Sequence, residues 1–141
     1  MKINRFEDLQ CWQEARKLVN MVYNAIRNNP RLSLDLRFSG QFSSAAVSSM
    51  SNIAEGFSRE TDKEFSRGLW ISKGSAAEVQ SLSYTALDQE YLDEVVRKAI
   101  YEQADKVASL DSGMIKYLQR TLRRKDTKTQ RSKDAKTQRP K

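Results

Sequence analysis

Apolar positions along this chain recur at alternating three- and four-residue steps, the period of a helix face rather than of a strand. In the first such segment Leu9, Trp12, Ala15, Val19, Val22 and Ile26 keep the spacing, and Leu18 and Ala25 widen the stripe. It ends at Asn28-Asn29-Pro30, because the residue before a proline is pushed out of helical geometry. A second stripe comprises Phe38, Phe42, Ala45, Ala46, Ser49, Met50, Ile53 and Phe57, with Gly56 read as the residue that stops the helix. The third opens on Thr61-Asp62-Lys63-Glu64, a capping-box pattern whose threonine and glutamate can satisfy reciprocal backbone donors. Its stripe is Phe65, Leu69, Ser72, Ala76, Val79, Leu82 or Ser83, and Ala86, fading at Asp88-Gln89. The fourth starts near Asp93 and places Val96, Ile100, Ala104, Val107, Met114, Leu118 and Leu122 on one face. Four such helices with short connections predict an all-α fold, an antiparallel up-down four-helix bundle over residues 1–122.

Composition agrees with one helical domain. Only 5 Gly and 2 Pro occur among 141 residues, little punctuation for an all-β fold. A hydrophobic content of 38% can bury a modest core. No run of about 18 apolar residues is present, and the N-terminus lacks the apolar stretch of a signal peptide, so the chain reads as cytoplasmic without a membrane partner. A single cysteine, Cys11, rules out an intramolecular disulfide.

Charge separates the chain into two parts. Residues 1–122 carry as many basic as acidic side chains, and the net charge of +7 sits entirely in residues 123–141. There Arg123, Arg124, Lys125, Lys128, Arg131, Lys133, Lys136, Arg139 and Lys141 face only Asp126 and Asp134. The segment also repeats itself, Lys125-Asp126-Thr127-Lys128-Thr129-Gln130-Arg131 returning as Lys133-Asp134-Ala135-Lys136-Thr137-Gln138-Arg139. With almost nothing apolar to bury, it reads as a disordered basic tail. One reading is a polyphosphate-seeking arm that gains from counterion release on RNA or DNA; the other is a solvated, solubilising tail. No aromatic residue interleaves the charges, so any nucleic-acid contact would be electrostatic and tolerant of sequence.

The chemistry of catalysis is sparse. The chain has no histidine, the side chain best suited to proton transfer near neutral pH, and one cysteine cannot build a thiolate metal site. Cys11, beside Trp12, reads as a small packing residue. Gly68 to Ser75 does not match a phosphate loop, because its lysine precedes the second glycine within a helical pattern. No catalytic residue, metal site or cofactor site is assigned, and the chain reads as non-enzymatic.

Two features stand outside the core stripes. Leu69, Trp70 and Ile71 are consecutive and point about 100° apart on a helix, so they cannot all face one core. Trp70 then marks either an oligomer interface or a cover over a loop or the start of the first helix. Asn52 and Glu55 sit near the end of the second helix, where a carboxylate opposes the helix dipole and Arg59 or Lys73 could offset it. They read either as register-setting structural groups or as a polar site lining a channel or contacting a partner.

An ordered set of residues carries a family resemblance. Phe6, Leu9, Trp12, Ala15, Gln41, Ala45, Ala46, Val47, Ser48, Asn52, Ile53, Ala54, Glu55, Gly56, Arg59, Glu64, Phe65, Leu69, Gly74, Ser75, Glu78 and Tyr91-Leu92 together resemble the four-helix-bundle proteins encoded within 23S rRNA intervening sequences. The set also resembles the accessory protein of diversity-generating retroelements. The resemblance implies a ring-like homopentamer and a scaffold with RNA, or a reverse transcriptase and its RNA, as partner. Three positions depart from the family pattern. Ser43-Ser44 stand where an arginine is usual, Met50 where a proline is usual, and Asn29-Pro30 where a Phe-Pro pair is common. Without that arginine the basic tail becomes the stronger candidate for RNA contact. Without that proline the second helix should run straight.

Overall fold

In the computed structural model, which describes residues 2–137, five helices follow a single 3-10 turn at Phe6–Asp8. They are α1 (Gln10–Asn28), α2 (Pro30–Leu34), α3 (Leu36–Ser58), α4 (Asp62–Asp88) and α5 (Glu94–Thr137). No strand occurs among the described residues. The four long helices match the four predicted segments. The short α2 was not expected: Pro30 occupies its first turn, where a missing N–H is harmless and the fixed φ suits a helix.

Local chemistry sets the boundaries. The Asp35 side chain accepts from Phe38 N at 3.1 Å and so caps α3. The same carboxylate accepts from the Tyr91 hydroxyl at 2.7 Å, tying the entry of α3 to the α4–α5 connection. That bond holds Asp35 below the usual carboxylate range and raises Tyr91. Thr61 Oγ1 accepts from Glu64 N at 3.2 Å, the N-cap half of the expected capping box. Asp93 Oδ1 caps α5 through Val96 N at 2.8 Å.

The most extensive seams are α3–α4 and α4–α5, followed by α1–α3 and α1–α5. Across the first, Ser48 meets Ser75, Ser49 meets Ser72, and Gly56 meets Gly68. Numbers rise on α3 as they fall on α4, so the two run antiparallel. On the second seam Ser72 meets Asp111, Gln80 meets the Tyr101 carbonyl, and Asp62 meets Lys125, again in opposite senses. Leu18, Val22, Phe42, Ile53, Leu69, Val79, Ile100 and Val107 are sealed from solvent between these helices.

The structure corrects three expectations. First, Gly56 lies inside α3, which continues to Ser58. A Cβ built on Gly56 would come within 3.0 Å of Glu64 O and 3.1 Å of Gly68 Cα, and one on Gly68 would collide with Asn52 O. These two glycines let the α3 and α4 backbones touch. The left-handed turn that ends the helix falls instead on Glu60, with φ 63°. Second, the buried face of α1 runs through Cys11, Ala15, Leu18, Val22 and Ala25. Trp12 is rotated to its edge, against Phe6 at 5.1 Å between ring centroids, with Arg16 over its ring.

Third, residues 123–137 are not an irregular tail but the last part of α5. Extending an existing helix avoids the cost of nucleation. Arg, Lys, Gln and Ala are good helix formers, and no Gly or Pro interrupts residues 114–137. Gln130 Nε2 donates to Asp134 Oδ1 at 2.9 Å, an i,i+4 pair of the kind that supports an isolated helix. Arg139 and Lys141 lie outside the described residues.

Candidate functional site

The basic segment leaves the bundle as an arm. Every side chain from Arg123 to Thr137 is exposed. Among the described residues, one side-chain bond joins this arm to the bundle, from Lys125 Nζ to Asp62 Oδ2 at 3.4 Å. Fifteen helical residues extend about 22 Å at 1.5 Å each. Arg124, Lys128 and Arg131 fall at steps of four and three, so they share one face; Arg123 borders it. Arg120, one turn earlier and also exposed, continues the same face toward the bundle. Lys125, Lys133 and Lys136 point to the other side of the helix. The helical register, invisible to a disordered reading, is what aligns Arg120 with the arm.

Asn52, Glu55 and Arg59 line one groove at the Gly56–Gly68 crossing, of ≈ 260 Å³, with Glu64, Arg67 and Ile71. Asn52 Nδ2 donates to the Ser48 carbonyl at 2.8 Å and lies 3.1 Å from Ser48 Oγ. Ser48 Oγ is 2.8 Å from Ser75 Oγ, so the amide is joined to the α3–α4 seam through a pair of serines. Among the described residues Glu55 forms no ion pair within 4.0 Å, with Arg59, Lys73 or any other cation. Lys73 lies over the Trp70 ring, 5.1 Å from its centroid.

Trp70 is 52% exposed, with Ile71 and Val47 also open to solvent. At the start of α1, Phe6 packs against Trp12.

Three buried charged side chains escaped the sequence reading. Glu14 accepts from Gln103 Nε2 at 2.8 Å and pairs with Lys17 at 3.1 Å and Lys106 at 3.3 Å. The Gln103 hydrogen bond, reinforced by the two lysines, draws its carboxyl down to about 2. Arg97 pairs with Glu94 and lies over Tyr84 at 4.5 Å and Tyr101 at 5.6 Å. Asp111 is sealed from solvent, with its Oδ2 2.6 Å from Ser72 Oγ. Burial pushes its carboxyl up to about 7 and pushes the Cys11 thiol beside it up to about 12. A thiol held so far from ionisation is a poor nucleophile.

A signal for Asp111 existed. The α5 stripe steps seven residues from Val107 to Met114, and position 111 fills that gap in phase. Among the described residues, no group of three His, Cys, Asp or Glu side chains is placed to hold a metal ion. No helix there is long and apolar enough to cross a membrane.

Comparison with known proteins places this architecture. No match is found among curated proteins. Among solved structures, a protein of unknown function from the S23 ribosomal protein family of Bacteroides thetaiotaomicron superposes with a TM-score of 0.69 at 17% identity, covering 75% of this chain and 98% of the other. At that identity the likeness speaks for the fold alone. The family model described as "23S rRNA-intervening sequence protein" matches residues 7–113, stopping short of the basic arm. Matched over most of its length, the chain belongs to the 23S rRNA-intervening sequence protein family.

Proposed function

We propose that this chain is a non-enzymatic, oligomeric protein built on an antiparallel up-down bundle, and that it associates with RNA mainly through its basic arm. The observation that carries the reading is the exposed helix from Arg123 to Thr137, seven cations against two carboxylates, attached to a body whose charges cancel. Arg120, Arg124, Lys128 and Arg131 on one face offer a phosphate backbone about four contacts, with no aromatic platform for bases. Such contact is driven by counterion release and follows salt rather than sequence. With about four phosphates neutralised on a single strand, log affinity should fall against log salt with a slope of about −3.

The absence of histidine and the raised Cys11 thiol support a non-enzymatic role. The test is RNA binding in the full chain with Arg124, Lys128 and Arg131 replaced by glutamine. Loss of most affinity and a shallower salt slope support the reading; unchanged binding contradicts it.

A second reading, a protein-interaction scaffold such as a partner of a reverse transcriptase, rests on the exposed apolar side chains Val47, Trp70 and Ile71 on the outer face of α3 and α4. Such a surface also suits self-association, with five copies as the expected number by family resemblance. Trp70→Asp should then lower the particle mass measured by light scattering while leaving helicity intact. A monomeric wild type contradicts self-association.

A further inference from the structure

One polar layer crosses the apolar core, with a side chain from each of the four long helices. Ser49 Oγ of α3 lies 2.8 Å from Ser72 Oγ of α4, and Ser72 Oγ lies 2.6 Å from Asp111 Oδ2 of α5. The Cys11 thiol of α1 faces the same carboxyl. Ser49, Ser72 and Asp111 are all at 0% exposure. Among the described residues Asp111 Oδ1 has no hydrogen-bond partner. Val107 and Ile115, one turn to either side on α5, are apolar and buried.

The hydroxyl count decides which protonation state fits. An ionised Asp111 would hold a full charge in the core against one serine donor, with one oxygen unpaired. A neutral Asp111 can donate its own proton to Ser72, which then donates to Ser49. Oδ1 is unpaired in either state, but the neutral form leaves no full charge in the core. The groups that face Asp111 are Cys11 from α1, Ser49 from α3, and Ser72 and the Lys73 charge from α4. Lys73 makes no ion pair with it and rests on the Trp70 ring.

We propose that this layer is a proton-operated lock on α5: a neutral Asp111 closes the hydrogen-bond chain across the core, and its ionisation loosens the seat of the helix that carries the basic arm. Burial acts in the same direction, setting the carboxyl at about 7 against the ordinary value near 4. A group bound to its proton more tightly in the folded chain contributes stability that is full below its unfolded pKa. That contribution is lost as pH rises through the folded pKa. The window is therefore about pH 4 to 7.

The test compares the full wild-type chain with Asp111→Asn, an uncharged near-isostere, by denaturant unfolding between pH 5 and 8. Relative to the variant, the wild-type unfolding constant should rise about eighty-fold across that range, as a single group shifted this far requires. Amide exchange in residues 104–118, corrected for intrinsic chemistry, should accelerate with pH in the wild type alone. Because Asp111→Asn can fail to fold, the Asp111 side-chain carbon shift is also followed by NMR in the wild type. A midpoint near 7 supports the lock. A midpoint in the ordinary aspartate range, or parallel pH profiles for the two chains, overturns it.

Discussion

The bundle and the arm meet within one uninterrupted helix, yet they are held in different ways. Up to Leu122, α5 is fixed by burial: Ile100, Val107, Ile115 and Leu118 are wedged against α1 and α4. From Arg123 to Thr137 it buries nothing and relies, among the described residues, on helix propensity, i,i+4 pairing and one ion pair to Asp62. The charges divide along the same line. In the body basic and acidic side chains cancel, whereas the arm displays seven cations to solvent against two carboxylates. What folds the molecule and what would contact a polyanion are thus carried by separate residues, and each can be altered with little effect on the other.

The sharpest way to break that separation is to remove the arm. A chain ending at Leu122 should lose about a hundredfold or more in RNA affinity, the scale expected from several phosphate contacts at moderate salt. Its unfolding midpoint should stay close to that of the full chain, because no buried contact is lost.

The opposite experiment is Gly68→Val. It inserts side-chain atoms where α3 and α4 backbones touch and should destabilise by about 3 kcal/mol, at the upper end for overpacking. A change under about 1 kcal/mol in denaturant melts would show that the seam can open at little cost.

Glu14 offers a smaller effect in acid. Its folded pKa of about 2 lies below the ordinary glutamate value. The stability it contributes is therefore present above about pH 4.5 and lost as pH falls toward 2. After screening at the bundle edge this is on the order of 1–2 kcal/mol. Glu14→Gln should flatten the acid limb of the stability profile without altering RNA affinity above pH 6. Together with Asp111, which loses its contribution in the other direction, it predicts maximal stability near pH 4 to 5.

The smallest change is Glu60→Gly. A left-handed backbone at a residue bearing a Cβ is strained, so glycine should raise stability by up to about 1 kcal/mol, read as a higher melting temperature.

The long helices were legible because their stripes are periodic and their ends carry strong punctuation at Asn29-Pro30, Thr61 and Asp93. Gly56 was misread because a glycine near a helix end has two uses, a left-handed stop and a close backbone approach. Only the position of Gly68 distinguishes them. The turn of α1 about its axis was hidden by Trp12, whose apolar ring satisfies the stripe yet packs at its edge on Phe6. Glu14 gave no signal, since its partners Gln103 and Lys106 are distant in sequence. Asp111 did leave a trace, a polar residue in phase with the core, as did Ser49 and Ser72. Their meeting in one layer depends on the relative heights of the helices, which periodicity does not encode. The arm reversed an argument that was sound about burial but silent about propagation from a helix already formed.

The most direct test of the account is RNA binding by the full chain and by the chain ending at Leu122, each across a salt series with particle mass followed by light scattering. The account predicts binding by the full chain with a log–log salt slope of about −3, and loss of that binding in the shortened chain at unchanged helicity of the bundle. Equal affinity and equal slope in both chains would contradict it, placing the contact on the bundle surface rather than on the arm.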